Sequence, residues 1–171
     1  MNGRDVLDDV RDSSQNAKGR LTRRITIGVL SVIVVLGAIG VFGVKSATAR
    51  SSAGGYELTV THARISRAGL DTPWSVTVRH PGGFDGDITL ATTTEYFDMF
   101  ETQGWTPEPS GETTGTGVTY QNFAAPPGDT LRVVYDAYIQ PGSQRGHRAI
   151  TRLIIGGELI TSVAYRTWLV P

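Results

Sequence analysis

Cysteine is absent from all 171 residues. That excludes a thiolate nucleophile, a thiolate zinc site, an iron–sulfur cluster and a disulfide framework. A chain of this length can bury a core without such staples, so the absence is no obstacle to folding. Lysine is nearly absent as well, at positions 18 and 45 only. From residue 51 onward the chain carries arginine but no lysine, and acids outnumber bases. No basic patch able to neutralise phosphates is present there, so nucleic acid is not an expected partner. The motifs of hydrolysis and phosphate binding are missing too: no GxSxG, no SxxK, no P-loop and no HExxH. His62, His80 and His147 lie far apart, and the presence of serine, histidine and aspartate does not make a triad. The chain is therefore read as non-enzymatic, with no cofactor and no metal expected.

Long apolar runs are also scarce, with one exception. Residues 25–44, ITIGVLSVIVVLGAIGVFGV, contain no charge. Twenty residues at about 1.5 Å rise span about 30 Å, the hydrocarbon thickness of a bilayer. In lipid the backbone must satisfy its own hydrogen bonds, so this β-branched run is expected to be a helix. Lys18, Arg20, Arg23 and Arg24 precede it and only Lys45 and Arg50 follow closely. The positive-inside rule then puts the N-terminus in the cytoplasm and the rest outside. Ala47-Thr48-Ala49 supplies the small-x-small site of a cleavable secretory signal, but the length of the run and the 24-residue tail before it favour an uncleaved signal-anchor. Gly37, Gly40 and Gly43 recur every third residue and would let another helix approach.

These features divide the chain into a cytoplasmic tail at 1–24, a transmembrane helix at 25–44, a flexible tether at 45–55 and an extracytoplasmic domain at 56–171. In the tail, Val6, Leu7 and Val10 have helical spacing. The tether is assigned on its Ser, Ala and Gly content.

From Tyr56 the hydrophobic period becomes two. Tyr56, Leu58 and Val60 alternate with polar neighbours, as do Trp74, Val76 and Val78, and Leu131, Val133, Tyr135, Ala137 and Ile139. Further strands are expected at 87–91, 118–123, 148–155 and 158–170. Turn chemistry separates them at Asp71-Thr72-Pro73, Pro81-Gly82-Gly83, Pro126-Pro127-Gly128, Pro141-Gly142 and Gly156-Gly157. About seven short strands with regular turns predict a mainly β domain, an antiparallel immunoglobulin-like sandwich. The segment 92–103 breaks the pattern, because Tyr96, Phe97, Met99 and Phe100 fall at helical spacings. It is read as a short inserted amphipathic helix.

The layout resembles that of single-pass membrane proteins of high-GC Gram-positive (actinobacterial) type. The preference for arginine over lysine and the stretches TPWSVTVRHPGGFDG and PPGDTLRVVYDAYIQPG carry the likeness. It implies an immunoglobulin-like or fibronectin-like extracytoplasmic domain and no particular reaction.

Two candidate sites can be weighed. Asp85 and Asp87 among glycines hint at calcium, but the ligand set is incomplete and Asp-Gly is an ordinary turn. A two-residue turn at Gly156-Gly157 would pair Ile154 with Leu159, Leu153 with Ile160 and Ile150 with Val163. One face of that hairpin would carry Ile150, Ile154, Leu159, Val163 and Tyr165, the other Ala149, Leu153, Ile160, Ala164 and Trp168. Both faces are apolar, so either the aromatic segment covers one of them or that face meets a partner. The first functional expectation is an accessory or interaction protein that binds another membrane or envelope protein through this hairpin and Tyr96, Phe97, Phe100 and Trp105. The alternative is a sensory ectodomain that binds cell-wall glycan or another envelope ligand, using Trp105, Tyr96 and Trp74.

Overall fold

The structure, a computed structural model, describes residues 12–40, 43–101, 104–143 and 145–170. The short helix expected around Val6, Leu7 and Val10 lies outside the described residues. The chain forms two compact units, 1–43 and 44–171.

Among the described residues the first unit contains one helix, α1 (Asp12–Ala38). Its stretch Lys18–Ala38, 21 residues with mean hydropathy 1.8 and no buried residue, is long and apolar enough to cross a membrane. The expected span reached residue 44, whereas the helix stops at Ala38. Gly40 adopts φ +70° and its amide bonds the Gly37 carbonyl at 3.0 Å. Glycine disfavours the helix interior by about 1 kcal/mol and tolerates the left-handed turn that ends it.

The second unit is mainly β. Its first strands are β1 (Lys45–Ala53), β2 (Tyr56–Ser66), β3 (Asp71–Arg79) and β4 (Ile88–Thr93). A one-turn helix α2 (Thr94–Phe97) leads into β5 (Phe100–Glu101) and β6 (Trp105–Thr106). Then come β7 (Gly111–Gly115), β8 (Val118–Phe123), β9 (Thr130–Ile139), β10 (Arg148–Ile155), β11 (Glu158–Arg166) and β12 (Trp168–Leu169). One sheet runs β1-β2-β3-β9-β5, with β6 also on β9 and β12 parallel to β2. The other runs β11-β10-β4-β8-β7. Every other pairing is antiparallel.

Strand β1 corrects the flexible-tether assignment. Residues 45–53 pair along their length with β2, from Lys45 opposite Ile65 to Ala53 opposite Tyr56. Gly54 and Gly55, at φ +57° and +80°, form the two-residue turn between them. Successive positive φ angles suit the right-handed twist of a hairpin, and glycine reaches them without strain. Composition marked this segment as a linker because its side chains are too small to show an apolar period.

Period-two alternation puts Leu58, Val60, Trp74, Val76, Val78, Ile88, Leu90, Val133, Ile139 and Leu153 in the core, each at most 1% exposed. Burying a side chain of this size stabilises by roughly 1.5–3 kcal/mol. A polar tie crosses between the sheets and continues along the second one. Trp74 Nε1 donates to Tyr165 Oη at 3.0 Å, Tyr165 Oη meets Thr151 Oγ1 at 3.0 Å, and Thr151 meets Thr92 Oγ1 at 2.9 Å.

The helix expected over 92–103 is a single turn. Thr92 belongs to β4, completely buried, and Thr93 Oγ1 accepts from the Ile150 amide at 3.0 Å instead of capping α2. With its cap engaged by β10 and one turn too short to stand alone, the segment returns to strand at Phe100.

Hairpin β10–β11 has the expected glycine turn, with Gly156 and Gly157 at φ +59° and +84°. The register beyond it differs from expectation. Ile154 pairs with Leu159, but Leu153 pairs with Thr161, Thr151 with Val163 and Ile150 with Ala164. Ile160 is the extra residue of a β-bulge, and one extra residue moves every later side chain to the other face. Val163 and Tyr165 therefore join Leu153 and Ala149 inside, whereas Ile150 and Leu159 point to solvent.

Candidate functional site

Strand β11 lies against β1 and β2, with Ser51 Oγ and Thr161 Oγ1 2.7 Å apart, which closes one side of the sandwich. Elsewhere both sheets contribute to a solvent-open cleft of about 610 Å3. Phe97, Asp98 and Phe100 line it from α2 and β5, Trp105 from β6, and Tyr135 from β9. Glu112, Thr119 and Gln121 line it from β7 and β8, and Glu108, Pro109 and Gln140 from loops.

The floor is aromatic. Trp105 and Tyr135 have ring centroids 4.3 Å apart, and each is 5.5 Å from Phe97. Beneath them Trp74 meets Phe97 edge-on at 5.4 Å and Trp105 at 5.6 Å. Edge-to-face pairs of this kind each add about 0.5–1.5 kcal/mol beyond area burial. They hold Trp105 and Phe97, both half-buried, in place. Strand β9 supplies the anchor, because Tyr135 pairs with Trp74 on one side and Trp105 on the other. Tyr135 Oη also donates to the Glu101 carbonyl at 3.3 Å.

The rim is polar and acidic. Asp98, Glu108 and Glu112 are exposed, and among the described residues no lysine, arginine or histidine lines the cleft. Gln140 Nε2 is engaged by the Phe100 carbonyl at 2.8 Å. Gln121 differs. It is 1% exposed, points inward between Thr119 and Phe123 on β8, and its Nε2 has no hydrogen-bond partner. A buried donor left unmade costs about 1–3 kcal/mol, so its place on the wall of a cleft is chemically informative.

The expected contact residues separate into three groups. Phe97, Phe100 and Trp105 meet in the cleft, with Tyr96 and Trp74, each 1% exposed, behind them. Ile150, Ile154 and Leu159 lie on the outer face of the β10–β11 hairpin, and Val163 and Tyr165 are core residues. Tyr96, Val163 and Tyr165 are thus corrected from surface to interior. Burial pushes the Tyr96 and Tyr165 hydroxyls well above the ordinary tyrosine range, so both stay protonated and serve as hydrogen-bonding groups. Sequence reading missed Gln121 and Tyr135. Gln121 alternates with Val118 and Tyr120 and so did not stand out as an inward residue, whereas Tyr135 looked like any other core aromatic.

The remaining candidates stay apart. Thr89 Oγ1 bonds Asn122 Oδ1 at 2.7 Å beside Asp85 and Asp87, and among the described residues no three His, Asp or Glu side chains gather to hold a metal. His80 stacks on Tyr56 with centroids 4.0 Å apart, while His62 is buried against Tyr165. Neither these nor His147 lines the cleft. Comparisons with protein-family models, curated proteins and solved structures return no match, so the site rests on its own geometry.

Proposed function

We propose that this chain is a non-enzymatic, membrane-anchored binding protein whose sandwich domain works at the outer face of the cytoplasmic membrane and takes an envelope ligand, such as cell-wall glycan, in the cleft between its sheets. The observation that carries the reading is the buried Gln121, whose Nε2 lacks a hydrogen-bond partner, beside a half-buried aromatic platform. The mix of apolar floor and few polar groups is that of ligand sites. Asp98, Glu108 and Glu112 stand exposed on the rim, where they can accept hydrogen bonds from a ligand.

The apolar helix and the bases before it support the anchor and its orientation, N-terminus inside and domain outside. Paired antiparallel sheets around the buried Trp74 support an immunoglobulin-like domain.

Co-sedimentation of the full-length protein with purified wall polymer tests the reading. The protein is expected in the pellet, and the Trp105→Ala variant in the supernatant. Equal recovery of both would contradict it.

A second reading makes the protein an accessory that binds another membrane or envelope protein. It is favoured by the apolar strip on the hairpin, where Ile150 and Leu159 are 38% and 56% exposed. A stoichiometric partner released by Leu159→Ser would support it.

A further inference from the structure

We propose that the ligand of the cleft is a saccharide chain without acidic groups, stacked on Trp105 and Phe97 and hydrogen-bonded by Gln121 Nε2. The inference rests on reading the cleft as the binding site. Three features of the lining choose the chemistry.

The rings form a platform and not a cage. A cation held among aromatic faces sits within about 6 Å of each centroid and needs open space between them. Trp105, Tyr135 and Phe97 fill that space with one another, at 4.3 and 5.5 Å. What remains accessible is the half-buried surface of Trp105 and Phe97. A flat apolar surface of this kind matches the C–H face of a sugar ring, which carries its hydroxyls around the edge.

The polar groups match that edge. Gln121 offers donors to a hydroxyl or glycosidic oxygen. Asp98, Glu108 and Glu112 are acceptors for hydroxyl donors, and hydrogen bonds to ionised carboxylates are stronger than neutral ones.

Charge then sets the exclusion. Three carboxylates with no base among the lining residues repel uronates, phosphates and sulfates. The cleft is also open to solvent, which suits a stretch of chain better than an enclosed small molecule.

Isothermal titration calorimetry of the full-length protein in a sugar-free detergent tests this, with four probes: cellotetraose, N-acetylated chitotetraose, tetragalacturonate and tetralysine. At least one neutral oligosaccharide is expected to bind at least tenfold more tightly than tetragalacturonate. The gap should narrow at 1 M salt, where exposed charges are screened. Gln121→Leu is expected to weaken that binding about tenfold, the equivalent of one hydrogen bond of about 1.4 kcal/mol, while raising the Tm because the unmet donor is gone. A merely structural glutamine would lower both. Tighter binding of tetragalacturonate or tetralysine overturns the ligand class, and so does binding of none of the four. If the tighter ligand is lost in Trp105→Ala, the cleft reading stands and only the class falls. If Trp105→Ala binds it equally, both fall.

Discussion

Trp74 on β3 donates its indole N–H to the hydroxyl of Tyr165 on β11, 3.0 Å away, and so ties one sheet to the other through the middle of the core. Tyr165 continues the tie to Thr151, and Thr151 to Thr92. Tyr165→Phe keeps the ring and removes the junction, leaving the Trp74 donor buried without a partner. The expected loss is about 1–3 kcal/mol of unfolding free energy, measured by urea titration. A change under 0.5 kcal/mol would mean that the tie carries no stability.

His62 gives the fold a pH dependence. Burial holds its imidazole below the ordinary value, and the backbone near Arg166 and Val60 opposes this more weakly. Between the lowered value and about 6.5 the unfolded chain binds more protons than the folded one, so stability rises with pH through that window and levels off above it. Thermal melts from pH 5.5 to 7.5 should show Tm falling as the solution is acidified. His62→Phe should flatten that slope, and an unchanged slope would assign the effect elsewhere.

Two leucines in the β10–β11 hairpin should respond in opposite ways to truncation. Leu153 is completely buried and Leu159 is 56% exposed. Leu153→Ala should cost about 2–5 kcal/mol. Leu159→Ser should stay within about 0.5 kcal/mol of the parent. Comparable losses at both sites would contradict the placing of Leu153 in the core and Leu159 at the surface.

Gly146 is required by close approach. A Cβ there would collide with the Thr167 carbonyl oxygen and lie 2.8 Å from Trp168 Cα, whereas at Gly142 it would meet nothing within 4 Å. Backbone cannot move aside as a flexible side chain can. Gly146→Ala is expected to lower stability by about 1–3 kcal/mol or more, and Gly142→Ala to leave it nearly unchanged, by chemical denaturation.

Much of this architecture could be read from the chain because long-range packing rewards the same period-two pattern that the eye detects. Leu58, Val60, Trp74, Val76 and Val78 are core residues for that reason. Strand β1 escaped because Ala47, Ala49 and Ser51 alternate in burial without alternating in hydrophobicity. The Gly54-Gly55 pair was the available signal, since two glycines before an alternating run are also a hairpin turn. The hairpin register escaped because a single inserted residue leaves no trace in composition, yet it reassigns Ile150 and Val163 to opposite faces. Of the site, the aromatic members Phe97, Phe100 and Trp105 were legible by type. The contribution of Gln121 was not, because only the tertiary fold shows a donor buried without a partner.

The most direct test of the central claim, that the cleft between the sheets is the working site, is amide hydrogen exchange of the full-length protein with and without solubilised wall polymer. Added protection is predicted at α2, β5, β7 and β8, around Phe97, Phe100 and Gln121. Protection confined to β10 and β11 around Ile150 and Leu159, or none at all, would contradict it.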